Sequence, residues 1–134
     1  MPQPGQKPLN FIRSIPANGA TNISRSLKTI TLVFDKNVVD NSVWTNNQSQ
    51  VQMFLGADRL QKGVDYRVTR SSAFNQRRNI FVKLLHRLLP NTTYKVVIYP
   101  GMTSKAGEQL GSTVIITFTT GSTGAISGGS FTQE

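Results

Sequence analysis

The most informative part of the sequence is a short run that ends in a tyrosine at the start of a strand-like segment. Leu88, Pro90, Thr92 and Tyr94 lie two residues apart, and the strand-like segment continues to Tyr99. In β-sandwiches this pattern is typical of a tyrosine corner, in which the tyrosine hydroxyl bonds back to the backbone a few residues upstream. Pro90 restricts φ at the corner, and Leu88 is placed to close the end of the core. The run therefore predicts entry into a central strand of a sandwich.

Short apolar or alternating segments recur along the chain with turn residues between them, and no segment shows a convincing helical pattern. The seven predicted strands are Leu9–Ile15, Lys28–Phe34, Val51–Leu55, Asp65–Arg70, Asn79–Leu84, Thr93–Tyr99 and Thr113–Thr120. This number of strands and their patterning predict an all-β fold, a seven-stranded immunoglobulin-like Greek-key β-sandwich.

The period of two within these strands separates core positions from surface positions. The residues predicted to face the core are Ile30, Leu32, Phe34, Val68, Ile80, Val82, Leu84, Tyr94, Val96, Ile98, Val114, Ile116 and Phe118. Five large apolar residues are predicted to face outward, namely Val33, Phe81, Val97, Tyr99 and Ile115. Such residues mark either contact with a neighbouring copy or domain, or the scattered apolar exposure found on any protein surface.

Composition divides the chain into a folded unit and two flanks. Residues 1–8 contain three prolines and no apolar pattern, and residues 121–134 are rich in Gly, Ser and Thr. These compositions predict a flexible N-terminal segment, a single domain over residues 9–120, and a tail or linker after it.

The charge balance indicates possible partners. There are 15 Lys and Arg against 6 Asp and Glu, which gives a net charge of +9. This charge favours attraction to anionic polymers such as wall polysaccharide or nucleic acid, although a basic surface can also serve solubility alone.

The sequence offers little for catalysis. His86 is the one histidine and is predicted to be a solvated loop residue, the carboxylates are dispersed, and cysteine is absent. A catalytic triad needs a histidine held by a buried carboxylate, and structural zinc sites need several Cys or His ligands. We therefore predict no enzymatic activity, no cofactor and no metal site.

The segment Asp35–Gln50 does not fit the strand pattern. It is long and rich in Asn, contains the one tryptophan, Trp44, and is predicted to be a loop with a short turn of helix. Trp44 either caps an open end of the core or provides an aromatic platform for a sugar or base.

The clearest candidate binding site is a basic hairpin between the fourth and fifth predicted strands. Arg70, Arg77 and Arg78 flank Phe74, and the neighbouring connections supply Lys36 and Lys105 at the same end of the layout. Guanidinium groups bind phosphate or carboxylate oxygens in a bidentate manner, and Phe74 can stack on a sugar or base. The alternative is an ordinary solvated hairpin, since Asp35, Asp40 and Glu108 lie near the same end and partly neutralise it.

Several segments together resemble the bacterial Ig-like domains of S-layer and other surface proteins. They are Pro16–Ile23, Ile30–Val38, Leu88–Tyr94, Ala106 and Gly107 with Leu110, and Thr117–Gly121. Many members have Pro where this chain has Asn37, and Asp-x-Ala-Gly-Asn where it has Ser104–Glu108. Lys105 in that loop argues against calcium, because the cation needs several hard oxygen ligands.

The resemblance implies a non-catalytic structural or adhesive spacer module of an extracellular or cell-surface protein. Its expected partners are neighbouring domains or copies of the same protein, without insertion into a membrane. Two alternatives remain: a module that binds an anionic polymer through the basic hairpin, and a subunit of a self-assembling layer or filament.

Overall fold

The described part of the chain forms a sandwich of two β-sheets with one short helix at its side. A computed structural model describes residues 8–122, and the predictions for the flanking segments concern residues that lie almost wholly outside this range. The strands are β1 (Phe11–Ile15), β2 (Ala20–Ile23), β3 (Thr29–Phe34), β4 (Val51–Leu55), β5 (Asp58–Arg59), β6 (Tyr66–Thr69), β7 (Asn79–Leu84), β8 (Thr93–Ile98) and β9 (Val114–Thr120). The helix α1 spans Asn41–Ser49, and a 3₁₀ turn spans Phe74–Gln76.

One sheet has four strands in the order β1-β3-β7-β6, and the other has five in the order β2-β9-β8-β4-β5. The pairs are antiparallel except for β2 and β9, which run parallel. Apolar side chains from both sheets form one core between them. The all-β sandwich predicted from the sequence is therefore correct in its class.

The predicted count of seven strands is wrong, because residues 8–122 contain nine. Each predicted strand corresponds to an observed one, and the two additional strands are β2 and β5. β5 has two exposed polar residues that pair with β4 across a turn beginning at Gly56, whose φ is 60°. β2 has four residues and pairs with β9 at Ala20 and Ile23, with an irregularity between them. Strands of two and four residues are too short to carry a period-two signal.

The expectation that the chain lacks a regular helix is also wrong. Asp40 caps α1, and its carboxylate accepts a 3.0 Å hydrogen bond from the Ser42 amide. Trp44 and Asn47 are the buried residues of α1, and their spacing of three places both on one face. Because a nine-residue helix is marginal alone, this buried face supplies most of its stability.

The period-two pattern identified the core well. Of the residues predicted to face inward, all are buried except Val114, which is partly buried. Among those predicted to face outward, Ile115 is 51% exposed. Val97 is only 6% exposed, which contradicts its predicted surface position. It lies on β8, the central strand of the five-stranded sheet, where Gln52 and Ile115 flank it on either side.

The tyrosine corner forms as predicted. The Tyr94 hydroxyl accepts a hydrogen bond from the Leu89 backbone amide, and the Thr92 hydroxyl donates to the Pro90 carbonyl at 2.7 Å. Leu88 is buried in the core. The corner thereby fixes the connection between the two sheets.

The chain enters and leaves the sandwich at opposite ends. At the entry end, β1 begins beside the end of β3, where Phe11 pairs with Phe34. At the exit end, β7 finishes beside the start of β3, where the Leu84 amide donates to the Lys28 carbonyl at 2.9 Å. The β7–β8 connection keeps to that end, so the start of β8 lies there, and β9 finishes beside it at Thr120.

Candidate functional site

The basic residues singled out in the sequence gather at the entry end. One depression of ≈ 510 Å³ is lined by Lys36, Arg78 and Lys105, among others. An adjoining depression of ≈ 560 Å³ is lined by Arg70, Phe74, Arg77 and again Lys105. Both are also lined by Asn37. We call these two depressions together the entry-end groove.

Backbone hydrogen bonds between three connections position this groove. The Arg77 and Arg78 carbonyls accept bonds from Val38 (3.1 Å) and Phe34 (2.9 Å), which fixes the β6–β7 connection against the end of β3. The Lys105 amide donates to the Asn37 carbonyl at 2.8 Å, which brings in the β8–β9 connection. The cations therefore converge through backbone contacts.

Both lysines of the groove lie near carboxylates. Lys36 Nζ lies 3.8 Å from Glu108 Oε1, and Lys105 Nζ lies 3.8 Å from Asp40 Oδ1. The Glu108 side chain is nearly buried and also accepts a 3.0 Å hydrogen bond from the Ser104 hydroxyl. These two ammonium charges are thus partly neutralised within the groove.

Two carboxylates of the groove, Asp35 and Asp40, have lowered pKa values. Hydrogen bonds from the Ser42 hydroxyl and amide lower the pKa of Asp40. At Asp35, burial acts to raise the pKa, but hydrogen bonds from Asn10 outweigh it and the pKa is lowered. Asp35 and Asp40 therefore stay negatively charged at neutral pH and offset part of the positive charge of the groove.

The three arginines have no carboxylate within ion-pair distance among residues 8–122. Arg70 donates to the Val39 carbonyl at 2.7 Å, and its guanidinium lies 5.1 Å from the ring centre of Trp44. Arg77 lies 4.0 Å above the ring of Phe74, which is 76% exposed. Arg78 is exposed. The excess positive charge of the groove resides on these guanidinium groups.

Trp44 lies in the core, as the capping interpretation predicted. It is buried among the core residues, and Arg70 lies over its ring. A buried ring cannot offer a face to a sugar or base, so the aromatic-platform alternative for Trp44 is wrong.

His86 is exposed, as predicted for a loop residue, but it has a partner that the sequence did not reveal. Its Nε2 lies 2.8 Å from Asp65 Oδ1, and its Nδ1 lies 2.9 Å from the Arg87 carbonyl. Both ring nitrogens face acceptors, so neither remains available to activate a nucleophile. The pair lies at the exit end, away from the basic groove.

Within residues 8–122 no cluster of three or more His, Cys, Asp or Glu side chains is placed to hold a metal ion. In the loop compared above with a calcium-binding pattern, Glu108 is engaged by Ser104 and Lys36.

Comparisons with known proteins identify the family. Residues 5–120 match the family model of the bacterial Ig-like domain. The chain belongs to this family. No curated protein matches the sequence.

Similar solved structures agree with this fold. The chain resembles part of the S-layer protein SbsC with a TM-score of 0.56 at 20% identity, covering 86% of this chain and 14% of that one. CopC from Methylosinus trichosporium OB3b gives a TM-score of 0.55 at 10% identity, and the match covers 85% of this chain and 94% of that one. Native E. coli alpha-2-macroglobulin gives a TM-score of 0.58 at 13% identity, and the match covers 87% of this chain and 6% of that one. The chain thus spans about one seventh of the first S-layer protein it matches.

Among the described residues, no helix is both long and apolar enough to cross a membrane.

Proposed function

We propose that this domain is a non-catalytic spacer module of a bacterial cell-surface or S-layer-like protein, working outside the cell. Its membership of the bacterial Ig-like family and its similarity to part of an S-layer protein support this role. Its expected partners are the domains or copies next to it in the same assembly.

The observation that carries the proposal is that the chain enters and leaves the sandwich at opposite ends. The chain enters beside the end of β3 and leaves at the end of β9, on opposite ends of the sandwich. Modules with this geometry join in line, so each one adds its own length to the assembly.

The pairing of β2 with β9 suits a module under tension. These strands run parallel, and the pairing joins Ala20 to Phe118 and Ile23 to Thr120. The Gly19 amide also donates to the Thr117 carbonyl at 2.7 Å. A pull on the two chain ends draws β2 and β9 past one another, so their hydrogen bonds are loaded together rather than one by one.

The exit end offers an apolar surface to a following module. Val64, Leu85 and Leu89 are 60%, 39% and 51% exposed, and they lie on connections at the end where β9 finishes. Exposed apolar residues beside the exit of the chain are suited to contact with the next domain. Of the strand residues predicted to face outward, Ile115 is also exposed, whereas Val97 is buried.

Small-angle X-ray scattering on two copies of the chain joined end to end tests the in-line arrangement. The spacer role predicts a maximum dimension close to the sum of two long axes plus the linker. A particle no longer than two sandwiches packed side by side would overturn the proposal. The single chain, measured at the same concentrations, provides the reference dimension.

A further inference from the structure

We propose that the entry-end groove binds an anionic polysaccharide, with Arg77 and Arg78 as its main anion contacts. This is a ligand-binding site additional to the spacer role, and it does not rest on that role. Its occupant is a sugar polymer that bears carboxylate groups at intervals along its length.

Positive charge is distributed unevenly within the groove. Its lysines lie near Glu108 and Asp40, while its arginines have no carboxylate partner among the described residues. The Arg78 side chain in addition makes no hydrogen bond to another described residue. Because a guanidinium presents a planar fork of donors, these groups can bind carboxylate oxygens in a bidentate manner.

Part of the site is held in place by contacts within the domain. Arg77 is fixed by its contact with the Phe74 ring and by a 3.1 Å hydrogen bond to the Phe74 carbonyl. The backbone of the connection is in turn tied to β3 through the Arg77 and Arg78 carbonyls. A preorganised cation loses less entropy when it binds, which favours affinity.

The size and lining of the groove favour a sugar polymer over a nucleic acid. The groove consists of two adjoining depressions of ≈ 510 and ≈ 560 Å³, which is room for successive units of a chain. Its polar lining includes Asn37, Ser71 and Ser72, whose amide and hydroxyl groups suit sugar hydroxyls. Single-stranded nucleic acid binds mainly by stacking successive bases on aromatic rings. The lining offers one exposed ring, Phe74, and Arg77 already covers one face of it.

The test is a binding titration with polygalacturonate, a polymer of carboxylated sugar units. Neutral dextran of similar length and a single-stranded oligonucleotide serve as comparison ligands. The variant Arg77→Ala with Arg78→Ala removes two charges from the groove. The matched control is Arg67→Ala with Lys83→Ala, which removes two charges from exposed, paired positions on the outer face of the four-stranded sheet. Circular dichroism and thermal melting confirm that both variants are folded.

The proposal predicts binding of polygalacturonate that weakens with added salt, and no binding of dextran. The groove variant should lose about tenfold or more in affinity, since a charged hydrogen bond contributes about 1.4 kcal/mol or more. The control should lose much less. An equal loss of affinity in both variants would show that binding depends only on net charge, and would overturn the assignment of the groove as the binding site. Tighter binding of the oligonucleotide, or no binding of polygalacturonate, would overturn the assigned ligand class.

Discussion

The Tyr94 hydroxyl accepts a 2.8 Å hydrogen bond from the backbone amide of Leu89, five residues earlier in the chain. This bond joins the buried strand β8 to the connection that crosses between the sheets. The Tyr94 ring also stacks on Phe118 of the adjacent strand, with ring centres 5.6 Å apart. Tyr94 therefore holds the connection between the two sheets and packs in the core at the same time.

Removing this hydrogen bond by Tyr94→Phe should lower the free energy of unfolding by about 1 kcal/mol or slightly more, because the Leu89 amide loses its partner. Tyr66→Phe is the matched control. The Tyr66 hydroxyl is buried beside the Met53 backbone, with no partner in hydrogen-bond geometry among the described residues. The control should therefore be neutral or slightly stabilising. Urea denaturation of both variants provides the comparison, and equal stability losses would argue against the corner.

Asn47→Ala should destabilise the domain by about 2–4 kcal/mol, because several buried backbone groups lose their partners. Asn47 is fully buried, and its amide donates to the Val38 and Thr103 carbonyls, each at 2.8 Å. Its carbonyl oxygen accepts from the Thr103 amide. Asn46→Ala, at an exposed neighbour, should cost less than about 1 kcal/mol. Chemical denaturation that gave similar losses for both variants would contradict this role of Asn47.

Arg70→Ala should cost about 1–2 kcal/mol of stability, although Arg70 belongs to the basic groove. It would lose the contact with the Trp44 ring and the bond to the Val39 carbonyl. Arg78→Ala should change stability by no more than about 0.5 kcal/mol, since the side chain is exposed and has neither a ring contact nor a hydrogen bond among the described residues. Thermal melting distinguishes the two variants. If the melting temperature of Arg70→Ala equalled that of the unmodified domain, Arg70 would not contribute to stability, and binding would be its only role.

The His86–Asp65 pair should add stability in a defined range of pH. Hydrogen bonds to the Arg87 carbonyl and to Asp65 raise the pKa of His86, while bonds from the Gln61 amide and from His86 lower the pKa of Asp65. The contribution of His86 is complete below its unfolded pKa of about 6.5 and disappears as pH rises through its folded pKa. The contribution of Asp65 is complete above about 3.9 and disappears as pH falls through its folded pKa.

The His86–Asp65 pair therefore contributes most to the free energy of unfolding between about pH 4 and 6.5. Since His86 is largely exposed, the effect should stay below about 1 kcal/mol. NMR titration is unambiguous, because His86 is the one histidine in the chain. Asp65→Asn should bring the measured pKa of His86 down towards its ordinary value. A pKa that does not change in this variant would show that the pair does not form in solution.

The sequence predicted most of the sandwich because its signals are local. Alternation in β3, β7 and β9 identified the buried face of each strand, and the spacing from Leu88 to Tyr94 identified the corner. Two strands carried no such signal: β5 is a polar pair of residues, and β2 is stabilised by a parallel neighbour far along the chain. In α1, Trp44 and Asn47 alone are buried, which is too few for a helical period to be visible.

The basic groove could be predicted because topology alone brings its connections to one end. Which of its cations are neutralised could not be predicted. The pairing of Lys36 with Glu108 and the position of Arg70 over Trp44 depend on side chains distant in sequence. The His86–Asp65 contact joins residues 21 apart and escaped prediction for the same reason.

Single-molecule force measurement tests the central claim, that the domain carries tension along its long axis. Because the sequence lacks cysteine, attachment points can be introduced where needed. One experiment pulls through the two chain ends, and the other pulls through cysteines at Thr93 and Thr119, which face each other on β8 and β9. The account predicts a clearly higher unfolding force through the chain ends, where β2 and β9 are sheared. An equal or lower force in that direction would contradict it.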